Sequence, residues 1–202
     1  LRGINVGKAK RVAMADLRAL VEGLGYRDVR TLLNSGNVVF GLPAKGGGDP
    51  ARRIEEALAT KLGVSARVMV VTAEELAAAV GAHPFEGVAT DPSKYLVTFV
   101  SDPASMAKLS PLAARDWSPD ALHLGERVVY TWSLKGILES EVVKAMSRAL
   151  GDGATSRNWA TVSGRPSPSS NSRRESFPAR YHSARERPSI SFCVASGCAL
   201  SH

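Results

Sequence analysis

The residues best suited to chemistry near the start of the chain are Arg2-Gly3-Ile4-Asn5-Val6-Gly7-Lys8, which combine glycines, an amide and two cations just ahead of a helix-like stretch. Backbone N–H groups left bare by glycine, with the positive end of a helix behind them, can cradle a phosphate or carboxylate. Arg2, Asn5 and Lys8 are therefore candidate anion ligands. A nucleotide-hydrolysing P-loop is excluded. That loop needs four residues between its glycines and a Ser or Thr after the lysine, whereas three residues separate Gly3 from Gly7 and Ala9 follows Lys8. The same segment equally suits a plain strand-to-helix connection, with glycines at positive φ and Lys8, Lys10 and Arg11 solvated.

Three further blocks hold polar or aromatic groups. Asn34-Ser35-Gly36-Asn37 offers the amides and hydroxyl of Asn34, Ser35 and Asn37 to a ligand, and the same residue types build a tight hairpin turn. Arg157-Asn158-Trp159 sets a cation, an amide and an aromatic plane side by side, a combination that holds carboxylates, phosphates or bases. A helix start anchored by a buried Trp159 explains that block as well. His83 in His83-Pro84-Phe85 could carry a proton near neutral pH as general acid or base, or simply end a helix before the proline. No Ser or Cys nucleophile stands at a recognisable spacing from a base. His123 alternates with Leu122 and Leu124 and reads as a sheet-face residue. Cys193 and Cys198 with His182 and His202 match no standard zinc spacing, so neither a metal nor a cofactor is expected.

The elements that must position these residues follow from periodicity. Val12, Met14, Leu17, Leu20, Val21 and Leu24 recur at helical spacing, with Gly25 at the expected C-terminal cap. Val29 to Leu33 and Val38 to Phe40 read as a hairpin around the 34–37 turn. Pro50 opens a helix to about Leu62, Ala66 to Val71 is a strand, and Ala73 to Val80 a linking helix. The pattern then recurs. Tyr95 to Val100 is a strand, Pro103 to Ala114 a helix, Ala121 to Leu124 and Arg127 to Trp132 a hairpin, Glu139 to Leu150 a helix, and a last strand lies near Ala154. Adding an N-terminal strand that begins inside an apolar run at Leu1, and so reads as truncated, gives two β-α-β-β-α-β runs. They predict an α+β fold of two ferredoxin-like halves with antiparallel sheets, residues 1–72 and 94–162, joined by 73–93.

From Ser163 the composition changes to Ser, Arg and Pro, with no sustained apolar period. Residues 163–202 are expected to lie outside the fold, as a disordered tail or as out-of-frame translation. They carry six arginines against two glutamates, so much of the formal charge of +7 resides there and the folded part is only mildly basic. With 44% hydrophobic residues in 202, the chain can bury a core without disulfides. It has no run near the roughly 18 apolar residues of a membrane span and no secretory leader pattern, which predicts a cytoplasmic protein without a membrane partner.

Leu1-Arg2-Gly3-Ile4-Asn5-Val6-Gly7, Met14-Ala15-Asp16-Leu17-Arg18, Asn34-Ser35-Gly36-Asn37-Val38-Val39-Phe40, His83-Pro84-Phe85 and Ser156-Arg157-Asn158-Trp159 together resemble the family named domain of unknown function 1697, over roughly residues 1–162. The resemblance implies a two-part α+β fold and no established activity. Lys8-Ala9-Lys10 departs from it where a second glycine and an asparagine are frequent.

Three functions fit these residues. In the first, Arg2, Asn5, Lys8 and Arg157 converge on a small anionic ligand bearing phosphate or carboxylate. A nucleic-acid ligand ranks below a small one, because aromatic content is only 6% and no strand carries the paired aromatics that stack bases. The second is a small enzyme with His83 as proton carrier, and the third a self-association or protein-interaction module without catalysis.

Overall fold

The computed structural model describes residues 12–32, 36–43, 48–164 and the backbone of 190–195. It is an α+β structure with two four-stranded, wholly antiparallel sheets. The chain divides into two units after Glu75, and the 190–195 segment belongs with the first.

In the first unit, α1 (Met14–Glu22) turns Leu17, Leu20 and Val21 inward. It stops two residues short of the expected Leu24, because Leu24 N and Gly25 N bond to Val21 O and Glu22 O in the tighter i→i−3 pattern and Gly25, at φ +87°, reverses the chain. β1 (Arg27–Leu32) and β2 (Asn37–Gly41) form the expected hairpin. α2 (Pro50–Leu62) starts on Asp49, whose carboxylate accepts from Ala51 N at 2.9 Å, and ends at the left-handed Gly63. β3 (Val68–Thr72) follows. Leu17, Val21, Phe40, Ile54 and Leu58 are fully buried in one core between the helices and a single sheet face. Arg53 covers its rim, lying over the Tyr26 ring at 5.3 Å and donating to Leu24 O.

The sheet order of this unit is β1-β2-β8-β3, where β8 is Ile190–Ala195. The expectation that residues 163–202 lie outside the fold fails at these six residues. Ile-Ser-Phe-Cys-Val-Ala is rich in β-branched and aromatic types, enough for a strand that finds pairing edges on both sides, yet too short to register as a period.

The chain passes into the second unit along α3 (Ala73–Ala82), which opens on a reciprocal cap in which Thr72 Oγ1 accepts from Glu75 N and Glu75 Oε2 accepts from Thr72 N. β4 (Tyr95–Val100) is buried at every position, between β6 (Val128–Trp132) and β7 (Ala154–Asn158), and β5 (Ala121–Leu124) pairs with β6. The order is β5-β6-β4-β7. The helix expected over 103–114 is instead a 3₁₀ turn, Pro103–Leu109, that passes into the short α4 (Ser110–Ala113). Pro111 has no N–H to continue an α-helical ladder, and Ser110 N bonds to Ala107 O in the tighter pattern. α5 (Glu141–Leu150) begins two residues later than Glu139 because the Ser140 side chain caps it. α6 (Trp159–Ser163) ends at the left-handed Gly164. Val100, Leu109, Val129, Met146 and Leu150 form the core on one face of this sheet. The other face carries Tyr95, Val97, Tyr130 and Trp132 by strand alternation, and the Tyr130 hydroxyl donates to Ala79 O of α3 at 2.8 Å.

Among the described residues no helix is long and apolar enough to cross a membrane, and no three His, Cys, Asp or Glu side chains gather as a metal site would require.

Candidate functional site

On that second face, two blocks far apart in sequence meet. α3 ends at Ala82, and His83 follows with φ +21°, a backbone setting that costs energy in a residue with a Cβ. Pro84 and Phe85 continue in tight turns, with Glu86 N bonding to His83 O and Val88 N to Phe85 O. These turns hold the His83 ring against Trp159, edge to face, with centroids 4.3 Å apart, and against Tyr95 at 5.5 Å. Trp159 itself stacks flat on Tyr95, centroids 4.7 Å apart and planes within 9°. Phe85 completes the group at 5.5 Å from Tyr95.

Within this ring cluster, His83 Nδ1 and the Tyr95 hydroxyl are buried and have no hydrogen-bond partner among the described residues. Buried polar atoms in native proteins are nearly always satisfied, so a pair of orphans inside an aromatic cluster calls for an explanation. Burial, with a lesser contribution from nearby Tyr130, pushes the Tyr95 hydroxyl far above the ordinary tyrosine range, and burial alone pushes Tyr130 up to about 12. Tyr95 therefore stays a protonated donor at any ordinary pH. The rings supply flat apolar surfaces, and the hydroxyl and the imidazole nitrogen are the polar groups buried among them.

The other candidates from the sequence fare differently. Arg157 sits in β7 opposite Val97, which places it on the Tyr95 face of the sheet. Its Nη1 donates to Ser156 O at 2.8 Å and to Thr155 Oγ1 at 3.3 Å, so the guanidinium lies along its own strand. Asn158 caps α6, its Oδ1 accepting from Thr161 N and Thr161 Oγ1. Trp159 opens that helix at 6% exposure, its indole packed among the rings. Asn37 is fully buried at the start of β2 opposite Leu32. His123 is exposed on β5, as a sheet-face residue should be. Arg2, Asn5, Lys8, Asn34 and Ser35 lie outside the described residues, as do Cys198, His182 and His202. The residue that sequence reasoning missed is Tyr95. Its place in a strand was legible, but nothing in the chain signals a hydroxyl left without a partner.

The comparisons with known proteins fit this fold. The conserved bacterial protein SP0830 from Streptococcus pneumoniae is a solved structure with a TM-score of 0.61 and 21% identity, covering 81% of this chain and 91% of its own. At that identity the likeness speaks to the fold alone. No curated protein matches the chain. The family described as Protein of unknown function (DUF1697) matches residues 1–130, from the glycine-containing N-terminal segment through the His83 turn and into β6. The chain belongs to the DUF1697 family.

Proposed function

We propose that this protein is a cytoplasmic binding module for a small ligand bearing a phosphate or carboxylate, taken at the His83, Tyr95 and Trp159 cluster of the second unit. The observation that carries the reading is the pair of buried, unpartnered polar atoms, His83 Nδ1 and the Tyr95 hydroxyl, at a residue whose backbone is held at positive φ. An anionic oxygen accepts from a tyrosine hydroxyl and from an imidazole N–H with equal ease. Arg157 on the same sheet face adds positive potential without being the primary ligand. Catalysis by His83 ranks second, because among the described residues no group orients its Nδ1 as a general base is usually oriented.

The test is a thermal-shift titration of the full chain with inorganic phosphate, small carboxylates, sugar phosphates and nucleotides. A dose-dependent rise in Tm that disappears in His83→Phe and in Tyr95→Phe supports the site. Silence across the panel, or a rise that both variants retain, overturns it.

We also infer that the two units follow one ferredoxin-like plan. The support is the common run of elements, α1-β1-β2-α2-β3 in one and α4-β5-β6-α5-β7 in the other, although β8 does not hold the place in that run that β4 holds. An experimental structure in which β1-β2-β8-β3 failed to superpose on β5-β6-β4-β7 would remove that inference.

A further inference from the structure

Two buried hydroxyls at the end of β6 stand apart from the ring cluster. Thr131 and Ser133 are both 0% exposed, and neither side-chain oxygen has a hydrogen-bond partner among the described residues. They alternate with Tyr130 and Trp132, so they lie on the opposite face of the sheet, the face of Val129. Strand carbonyls lie in the plane of the sheet, so a hydroxyl on its face turns to other side chains or to water. Asp120 is brought to the same place by register. Ala121 pairs with Trp132, and one step further along Asp120 falls opposite Ser133. Its carboxylate accepts from Leu134 N at 3.0 Å and from Ser140 Oγ at 2.6 Å, which leaves roughly two of its four lone-pair sites for further donors.

We propose that Thr131, Ser133 and Asp120 form a binding site for one internal water molecule. Residues two apart in a strand stand roughly 6.7 Å apart along it, and two hydrogen bonds of about 2.8 Å meeting at one oxygen span at most about 5.6 Å. Hydroxyls leaning toward each other close that gap. Thr131 and Ser133 donate to the water oxygen and the water donates to Asp120, so three partners hold it, the usual number for an internal water. A buried hydroxyl left without a partner is costly, and one water at this position satisfies both. The site is independent of the His83 reading. Through Ser140 the Asp120 carboxylate already joins the start of β5 to the cap of α5, and the water adds the end of β6 to that joint. Trp132 lies between the two hydroxyls on the other face, paired with Tyr95, so the joint braces the strand end that backs the ring cluster.

The experiment is a crystal structure of the full chain that resolves ordered solvent, with water-oxygen magnetic relaxation dispersion on the same protein in solution. A solvent peak about 2.6–3.2 Å from both Thr131 Oγ1 and Ser133 Oγ is expected. A peak that reaches only one of them, or hydroxyls bonded to protein atoms with no peak between them, overturns the proposal. So does a peak with roughly six or more oxygen ligands at about 2.3–2.6 Å, which would be a hard cation. In solution the number of long-lived internal waters should fall by about one in the Thr131→Val, Ser133→Ala double variant and stay unchanged in Thr131→Ser, which keeps the hydroxyl. An equal count in all three proteins, or an equal fall in both variants, overturns the site. If the double variant does not fold, the crystal structure of the unaltered chain decides alone.

Discussion

The imidazole of His83 meets the indole of Trp159 edge to face, centroids 4.3 Å apart and planes at 71°, although one ends a helix and the other begins one far along the chain. The contact fixes the His83 ring and leaves its Nδ1 buried without a partner. An unsatisfied buried polar atom costs about 1–3 kcal/mol, and replacing it by an apolar group of similar shape recovers part of that. His83→Phe is therefore expected to hold stability or raise it by about 1 kcal/mol in urea denaturation. A loss of more than about 1 kcal/mol would mean that Nδ1 has a hydrogen-bond partner in solution. A ligand site that is suboptimal for stability while empty is the usual trade.

Tyr130 makes a pH prediction. Burial raises its hydroxyl from 10.0 to about 12, and that hydroxyl donates to Ala79 O. The folded state then holds the proton more tightly than the unfolded chain, whose tyrosines ionise near 10. The resulting stabilisation is complete below pH 10 and is lost as pH rises from there through about 12. Urea denaturation between pH 9 and 12 should show that decline, and Tyr130→Phe should flatten it while costing roughly 1 kcal/mol for the lost bond to Ala79. Tyr95, raised further still, keeps part of the slope in that variant.

What the sequence made legible was set by period and punctuation. Leu17, Leu20 and Val21 announced α1, Pro50 opened α2, and the β-rich run from Tyr95 to Val100 marked β4. Boundaries slipped where one residue's chemistry outvoted the pattern, as when Pro111 broke a single helix into a 3₁₀ turn and a short α4. β8 escaped notice because six residues carry no period and its partners lie more than a hundred residues away in sequence. The site was half legible. His83 and Trp159 stood out as residue types, but their meeting depends on the pairing of β4 with β7, and the orphaned Tyr95 hydroxyl is a property of packing alone. Arg157 and Asn158 looked like ligand groups because the side chains that cap helices and brace strands are the same ones that bind ligands.

Ser140 and Asp120 form a joint that should behave as one unit. The Ser140 hydroxyl donates to Asp120 Oδ2 at 2.6 Å and also accepts from Val143 N as the cap of α5, while Asp120 Oδ1 accepts from Leu134 N at 3.0 Å. Ser140→Ala is expected to cost about 1–2 kcal/mol as a lost cap, and Asp120→Ala about 1–3 kcal/mol through the amide and hydroxyl it strands. Because the two share a bond, the double variant should cost less than the sum by at least about 0.5 kcal/mol. Strict additivity in a urea double-mutant cycle would show that the joint is not formed in solution.

Gly125 governs the β5 to β6 hairpin through space, not through φ. Its N–H donates to Val128 O at 2.7 Å, and a Cβ built there would stand 2.7 Å from Val128 Cγ1 and 3.3 Å from Val128 O. A β-branched valine in a strand has little rotamer freedom to yield, so Gly125→Ala forces either the valine off its rotamer or the turn open. The expected cost is about 1–3 kcal/mol, read by thermal or urea denaturation. In a Val128→Ala background the methyl that clashes is gone, so the same substitution should cost markedly less, with the carbonyl contact setting the remainder. Gly153→Ala is the control: a Cβ there meets nothing within 4 Å and the backbone is not left-handed. That substitution should be neutral or stabilise by about 0.4–1 kcal/mol, chiefly by restricting the unfolded chain. Equal effects at both glycines would mean that backbone freedom, and not the approach of Val128, sets the residue at 125.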